Sequence, residues 1–373
     1  MLKGNGRALY VIYIMFIINS FMYLVINRSF QRVGFVICVL ALLLFVKGIN
    51  LQYKLDFGVI LFFGFIACTS ICSLLFFSIK PIVYALGMLV TYIVSFNSVI
   101  LFEKKWFDTL YNILSMIWIL IIGYSLLFWP LRWFNYGGAL GNPNNAGVVA
   151  ATMTTFSIIQ YIVAKQRGTK VSKKVYVLLP IQLFFVLIST CRSALLSIAI
   201  QIIVLIIGGM MDKEIPDKII RRIILIVFLV AAISYSLGIL SIVLDKTTAL
   251  QMRLGDVTNG RIDYWIAIWE EGKWFNNGVE IVNVISHNVY FGLINQFGKL
   301  SGITFFVFIV YELLASLKLL KTSYEYKWAF VLATINFVII SMFENILMTL
   351  PMCLMFIGLG LNKNERKLTI GNR

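Results

Sequence analysis

Charge is scarce in this chain. Only 13% of its 373 residues are Asp, Glu, Lys or Arg, about half of what a soluble domain carries. A single histidine and five cysteines (Cys38, Cys68, Cys72, Cys191 and Cys353), with no CxxC pair, argue against a zinc site. Cys68 and Cys72 share a helix face at i,i+4, which reads as core packing. The apolar runs are too long, and alternate too little, for the strands of an outer-membrane barrel. No small-residue cleavage site accompanies the first run after Lys3 and Arg7, so it reads as a retained span rather than a cleaved signal. Internal repeats, low-complexity tracts and an attached soluble domain are also absent.

What is present is apolar: 60% of residues are hydrophobic, too much for one soluble core. They fall into runs of about 20, the length of a bilayer-spanning helix, and only helices satisfy their own backbone in lipid. The expected fold is therefore all-α and polytopic, a single membrane domain over residues 1–373 with about twelve transmembrane helices. The spans are placed at Ala8–Ile26, Val33–Ile49, Phe57–Ile79, Pro81–Phe102, Leu110–Trp129, Gly147–Ala164, Val175–Ser189, Ser193–Met211, Ile223–Leu244, His287–Leu320, Trp328–Phe343 and Ile346–Leu361. The tenth is too long for one straight crossing. Gly298, Ser301 and Gly302 predict its division into a tilted or partly inserted helix followed by the true crossing.

The net charge of +16 is explained by topology. With the N-terminus in the cytoplasm, about two-thirds of the lysines and arginines fall in cytoplasmic segments, among them KQRGTKVSKK and DKEIPDKIIRR. That bias puts both termini in the cytoplasm and makes nucleic acid unnecessary as a partner. Two external segments remain: Trp129–Gly147, and the main extracytoplasmic loop over 245–286.

Several residues on the external side can carry chemistry. Arg192, in STCRSALL, lies at the junction of two apolar helices, where an arginine either snorkels or holds an anion. After Gly260 the sequence RIDYWIAIWEE reads as a helix with Arg261, Trp265, Ile268 and Trp269 on one face. An arginine beside tryptophans suits a phosphate next to a sugar ring, although the tryptophans equally fit an interfacial belt. His287 follows Ser286, a good N-cap residue, and is expected in the first turn of the next helix, where the dipole disfavours the imidazolium and a neutral imidazole can act as a base. Asn142 and Asn144 in GNPNN are ordinary turn residues that cap the sixth span. Arg132 is a further candidate in the first external segment. Glu344, between the last two spans, is either an interfacial carboxylate or a partner for one of the arginines.

Four motifs occur in order: GNPN at Gly141–Asn144, CRS at Cys191–Ser193, GRxxxW at Gly260–Trp265 and HNxY at His287–Tyr290. With a Glu-Asn pair at Glu344–Asn345, they make the chain resemble the O-antigen polymerase and O-antigen ligase superfamily of bacterial envelope glycosyltransferases, over nearly its whole length. The resemblance implies a GT-C-like membrane glycosyltransferase in the cytoplasmic membrane of a bacterium, acting at its outer face without metal or other cofactor. The donor would be an oligosaccharide on undecaprenyl pyrophosphate. The acceptor would be another lipid-linked repeat unit in a polymerase of O-antigen or capsule, or a lipid A core in a ligase. Arg192 and Arg261 would hold the pyrophosphate, and His287 would orient or deprotonate the acceptor hydroxyl. Asn142, Asn144, Arg132, Trp265, Asn288, Tyr290 and Glu344 are the expected substrate-binding residues. A chain-length regulator and a flippase are the companions such a polymerase implies. The stretch before His287 lacks a second glycine that often accompanies GRxxxW, and the short external loop favours polymerase over ligase. The chain itself being a lipid-linked glycan flippase, or a non-catalytic scaffold, are the competing readings.

Overall fold

The computed structural model describes residues 5–22, 56–132, 135–211, 217–238, 245, 261–283, 286–322 and 324–371. Within them the chain is helical, with no strand. The helices are α1 (Asn5–Met22), α2 (Phe57–Phe76), α3 (Ile79–Phe128), α4 (Pro143–Gln166), α5 (Lys173–Ser189), α6 (Arg192–Met211), α7 (Asp217–Ser236), α8 (Arg261–Glu271), α9 (Val289–Phe297), α10 (Lys299–Lys318), α11 (Lys327–Ser341) and α12 (Leu350–Gly371).

Among the described residues, six helical segments are long and apolar enough to cross a membrane: Phe57–Phe76, Ile79–Ser98, Trp106–Phe128, Pro143–Gln166, Arg192–Gly209 and Lys299–Lys321. Tyr10–Met22, Lys327–Ser341 and Leu350–Lys363 are shorter apolar helices. The chain thus has a polytopic membrane architecture. The expected span Val33–Ile49 and the part of Ile223–Leu244 beyond Gly238 lie outside the described residues. Large apolar side chains such as Leu74, Leu127 and Phe228 face outward, as lipid-facing residues do.

Burial is deepest on α4, where every residue from Ala146 to Val163 is buried. A helix that is apolar on all sides belongs inside a bundle, and α11 and the first half of α12 share that position. A cluster of Phe62, Tyr92, Phe308 and Phe356 joins α2, α3, α10 and α12. Between α4, α6 and α11 runs a buried polar network. Asn336 accepts from Ser197 at 3.0 Å and donates to Thr152 at 3.1 Å, while Thr155 donates to Gln201 at 2.9 Å. Interhelical bonds of this kind average about 0.6 kcal/mol in membranes and reach about 1.7. Asn336→Ala is therefore expected to lower stability by about 1–2 kcal/mol in reversible unfolding from mixed micelles. An unchanged midpoint would remove the network as a lock on helix register.

Two expected spans lie within one helix, and one expected boundary is corrected. The expected spans Pro81–Phe102 and Leu110–Trp129 both fall within α3, a helix of 50 residues, as the separate apolar segments Ile79–Ser98 and Trp106–Phe128. Straight, it would be about 75 Å long, more than twice the hydrocarbon thickness. Lys80 packs against Gly278 and Ser125 against Gly138, both at the end of the bundle that holds the N-terminus of α4. Asp108 instead meets Arg167 at the far end, at 3.5 Å. Each half of α3 is, by length and composition, a candidate crossing of its own. The last span begins at Leu350, not Ile346, because Phe343–Thr349 forms a non-helical link. The expected division at Gly298 is present: Gly298 separates α9 from α10 with φ +96°. A side chain there would strike the backbone of Trp274 and Phe275, so glycine is required by both conformation and space.

Candidate functional site

The site forms where α11 ends. The last carbonyls of a helix lack partners within it, and here two turn bonds take up Ile340 O, from Phe343 N at 3.0 Å and Glu344 N at 2.9 Å. The next carbonyls are met by side chains from other elements. Asn288 Nδ2 donates to Met342 O at 2.9 Å, and Arg261 Nη1 donates to Phe343 O at 2.7 Å. A guanidinium is favourable there, since this is the negative end of the α11 dipole.

Glu344 follows directly. Its Oε1 lies 3.7 Å from Arg261 Nη2 and its Oε2 lies 3.6 Å from His287 Nδ1. The Arg261 and Glu344 side chains are each 15% exposed and His287 is 37% exposed, so the carboxylate is sheltered while the imidazole reaches the surface. The His287 contact is longer than a hydrogen bond. Among the described residues Arg261 spends its donors only on Phe343 O and Glu344, and none pairs with His287 Nε2.

The structure brings together Arg261, His287, Glu344, Trp265, Asn288 and Tyr290. Helix α8 places Trp265 one turn after Arg261. Its indole stacks on Phe291 with ring centroids 5.6 Å apart and planes within 1°, and its Nε1 donates to Ser286 O at 2.8 Å. Tyr290 shares a hydrogen bond with Ser341 at 3.0 Å. Of the two tryptophans on the predicted face, Trp269 remains 47% exposed and lies under Lys299.

The position of His287 corrects the sequence reading. Asn288, not Ser286, is the N-cap of α9: its Oδ1 accepts from the N–H groups of Tyr290 at 2.8 Å and Phe291 at 3.0 Å. His287 therefore precedes the cap instead of occupying the first turn, and it adopts the left-handed conformation with φ +46°. A non-glycine residue held there stores strain.

The GNPN and CRS motifs meet one another beside this cluster. Asn142 caps α4, accepting from Asn144 N at 2.8 Å, with Pro143 at the first helical position where its missing N–H does no harm. A side chain at Gly147 would overlap Cys191, so the start of α4 lies against the turn between α5 and α6. Arg192 opens α6 from that turn. Glu344 is close enough to act on Cys191. Burial first, and the Glu344 charge second, push the Cys191 thiol up to about 11. Its folded value is raised, so the neutral thiol persists as pH rises to that point. Cys191 is accordingly expected to resist alkylation at pH 8 in the native protein and to react once denatured; rapid native labelling would contradict its burial. Arg132 stands apart: it is exposed, and no described hydrogen bond or ion pair joins it to Glu344.

Several participants carry no sequence signal. The Met342 and Phe343 carbonyls act through backbone, and Ser286 acts through its own carbonyl. Asn345, which lies near Gly292 and Ser286, is signalled only as the neighbour of Glu344. Comparisons of the chain with family models, with characterised proteins and with solved structures give no match.

Proposed function

We propose that the chain is a membrane glycosyltransferase of GT-C-like architecture that polymerises undecaprenyl-pyrophosphate-linked oligosaccharide repeat units into a surface polysaccharide. The observation that carries this reading is one sheltered carboxylate, Glu344, set between the Arg261 guanidinium and the His287 imidazole at the end of a membrane helix bundle. About twelve crossings, cytoplasmic termini and an extracytoplasmic site complete the proposal, supported by the distribution of basic residues.

The chemistry follows from the side chains. His287 Nε2 takes the proton of the acceptor hydroxyl while Glu344 faces Nδ1, holding the ring and offsetting the positive charge it gains. The hydroxyl oxygen attacks the anomeric carbon of the donor glycan. The bond from that carbon to the diphosphate oxygen breaks, and undecaprenyl diphosphate leaves with the electron pair. Arg261 and Arg192 meet the charge developing on the diphosphate, a role in which planar guanidinium groups are effective. Asn142, Asn144 and Arg132 are assigned to the sugar and phosphate groups of the two substrates.

Deletion of the gene distinguishes this role from its neighbours. A polymerase mutant accumulates lipid-linked single repeats with no long chains. A ligase mutant retains long polymer on the polyprenyl carrier, and a flippase mutant traps repeat units on the inner leaflet. Normal long polymer on the cell surface would contradict all three.

A further inference from the structure

Three hydrogen bonds close a ring around Glu344. Arg261, on α8, is tied to Phe343 O at the end of α11. Asn288, at the start of α9, is tied to Met342 O one residue earlier. Trp265, one turn from Arg261, is tied to Ser286 O, the carbonyl that precedes His287. The three elements that carry Arg261, His287 and Glu344 are thus latched pairwise. His287 sits between the two latched residues, Ser286 and Asn288, in the left-handed conformation. Ser286 Oγ also donates to Asn288 O at 3.1 Å, tightening the same three-residue segment. Ser286 and Asn288 are themselves buried, and the Trp265 indole is backed by Phe291.

We infer that Trp265 and Asn288 are positioning residues: they form a clasp that holds His287 in its strained backbone conformation with Nδ1 toward Glu344, and they keep α8, and so Arg261, in register with it. The left-handed backbone supports this. A residue stays there only where its surroundings over-determine it, and here the Trp265 indole fixes the peptide before His287 while the Asn288 side chain anchors the residue after it. The relevant Trp265 and Asn288 donors are already committed to protein carbonyls, which favours holding the site over binding sugar. The inference deepens the glycosyl-transfer reading, and its kinetic test rests on that reading; its spectroscopic test does not.

Because the chain has one histidine, protein labelled with ¹⁵N on the histidine ring gives one imidazole, and its nitrogen shifts report which nitrogen carries the proton. Trp265→Phe keeps the ring stack and removes the donor. Asn288→Asp keeps the helix cap and removes the donor to Met342 O. Trp269→Phe, on the same helix but outside the clasp, is the control. Wild type and the control are expected to show a single tautomer with the proton on Nδ1. Both clasp variants should show a mixture. Kinetically, each clasp variant should lose about 10²-fold in kcat, as small misplacements do, with KM for the lipid-linked repeat within about twofold. An unchanged imidazole signal in both variants overturns the inference whatever the protein's activity proves to be. A raised KM with unchanged kcat overturns it in favour of substrate binding. Should the wild type show no transferase activity, the tautomer result alone decides, and the glycosyl-transfer reading fails separately.

Discussion

Glu344→Gln is expected to lower the rate of glycan transfer about 10²–10⁴-fold, the range by which positioned acid–base groups contribute. Glutamine keeps the shape and one acceptor but loses the charge. In the wild type the carboxylate faces Arg261 Nη2 and His287 Nδ1 at 3.7 and 3.6 Å. An imidazole that accepts a proton on Nε2 becomes positive, and without the carboxylate that charge lacks its counterion. The glutamine amide can also turn its N–H toward His287 and favour the wrong tautomer, since an amide both donates and accepts. The effect should fall on kcat, with donor binding little changed, because the charge on the ring develops only during the reaction. The check is the rate of polymer formation by reconstituted protein at saturating lipid-linked repeat. A rate within twofold of wild type would take Glu344 out of the chemistry.

Arg261→Lys is expected to cost about 10²–10³-fold, although the charge is kept. The guanidinium spans two partners at once, Phe343 O at 2.7 Å through Nη1 and Glu344 through Nη2. An ammonium is a point charge on a flexible stem and does not reproduce that fork. Removing one preorganised donor from a developing oxyanion has an effect of this size. Arg261→Ala should lose more, because the end of α11 also loses a favourable cation worth about 0.3–1 kcal/mol. Comparing both variants by rate and by unfolding midpoint separates the two contributions. A lysine variant with full activity would show that Arg261 acts only as a helix-end cation.

Much of this was legible in the sequence, for identifiable reasons. The division of α9 from α10 at Gly298 was readable because an apolar stretch from His287 to Leu320 is too long for one crossing and contains a residue fit for φ +96°. Helix α8 was readable from the face shared by Arg261, Trp265 and Ile268, and Ile268 is indeed fully buried. The two apolar halves of α3 were readable; their continuity in one helix was not, because two lysines and a glutamate look like a loop although helix geometry tolerates them. Nor was the conformation of His287. Ser286 and Asn288 are both good caps, and the choice was decided by where Met342 O and the N–H groups of Tyr290 and Phe291 lie in space. The convergence of Arg261, His287 and Glu344 depends on the packing of three elements far apart in sequence. Residue types name such candidates, but spacing along the chain does not bring them together.

The most direct measurement is made on purified protein in liposomes supplied with the undecaprenyl-pyrophosphate-linked repeat unit, with product length read on a gel. The expected result is a ladder of increasing chain length from the wild type and none from a folded Arg261→Ala variant. The absence of any ladder from well-folded wild type, or an equal ladder from the variant, would contradict the assignment of this site to glycan polymerisation.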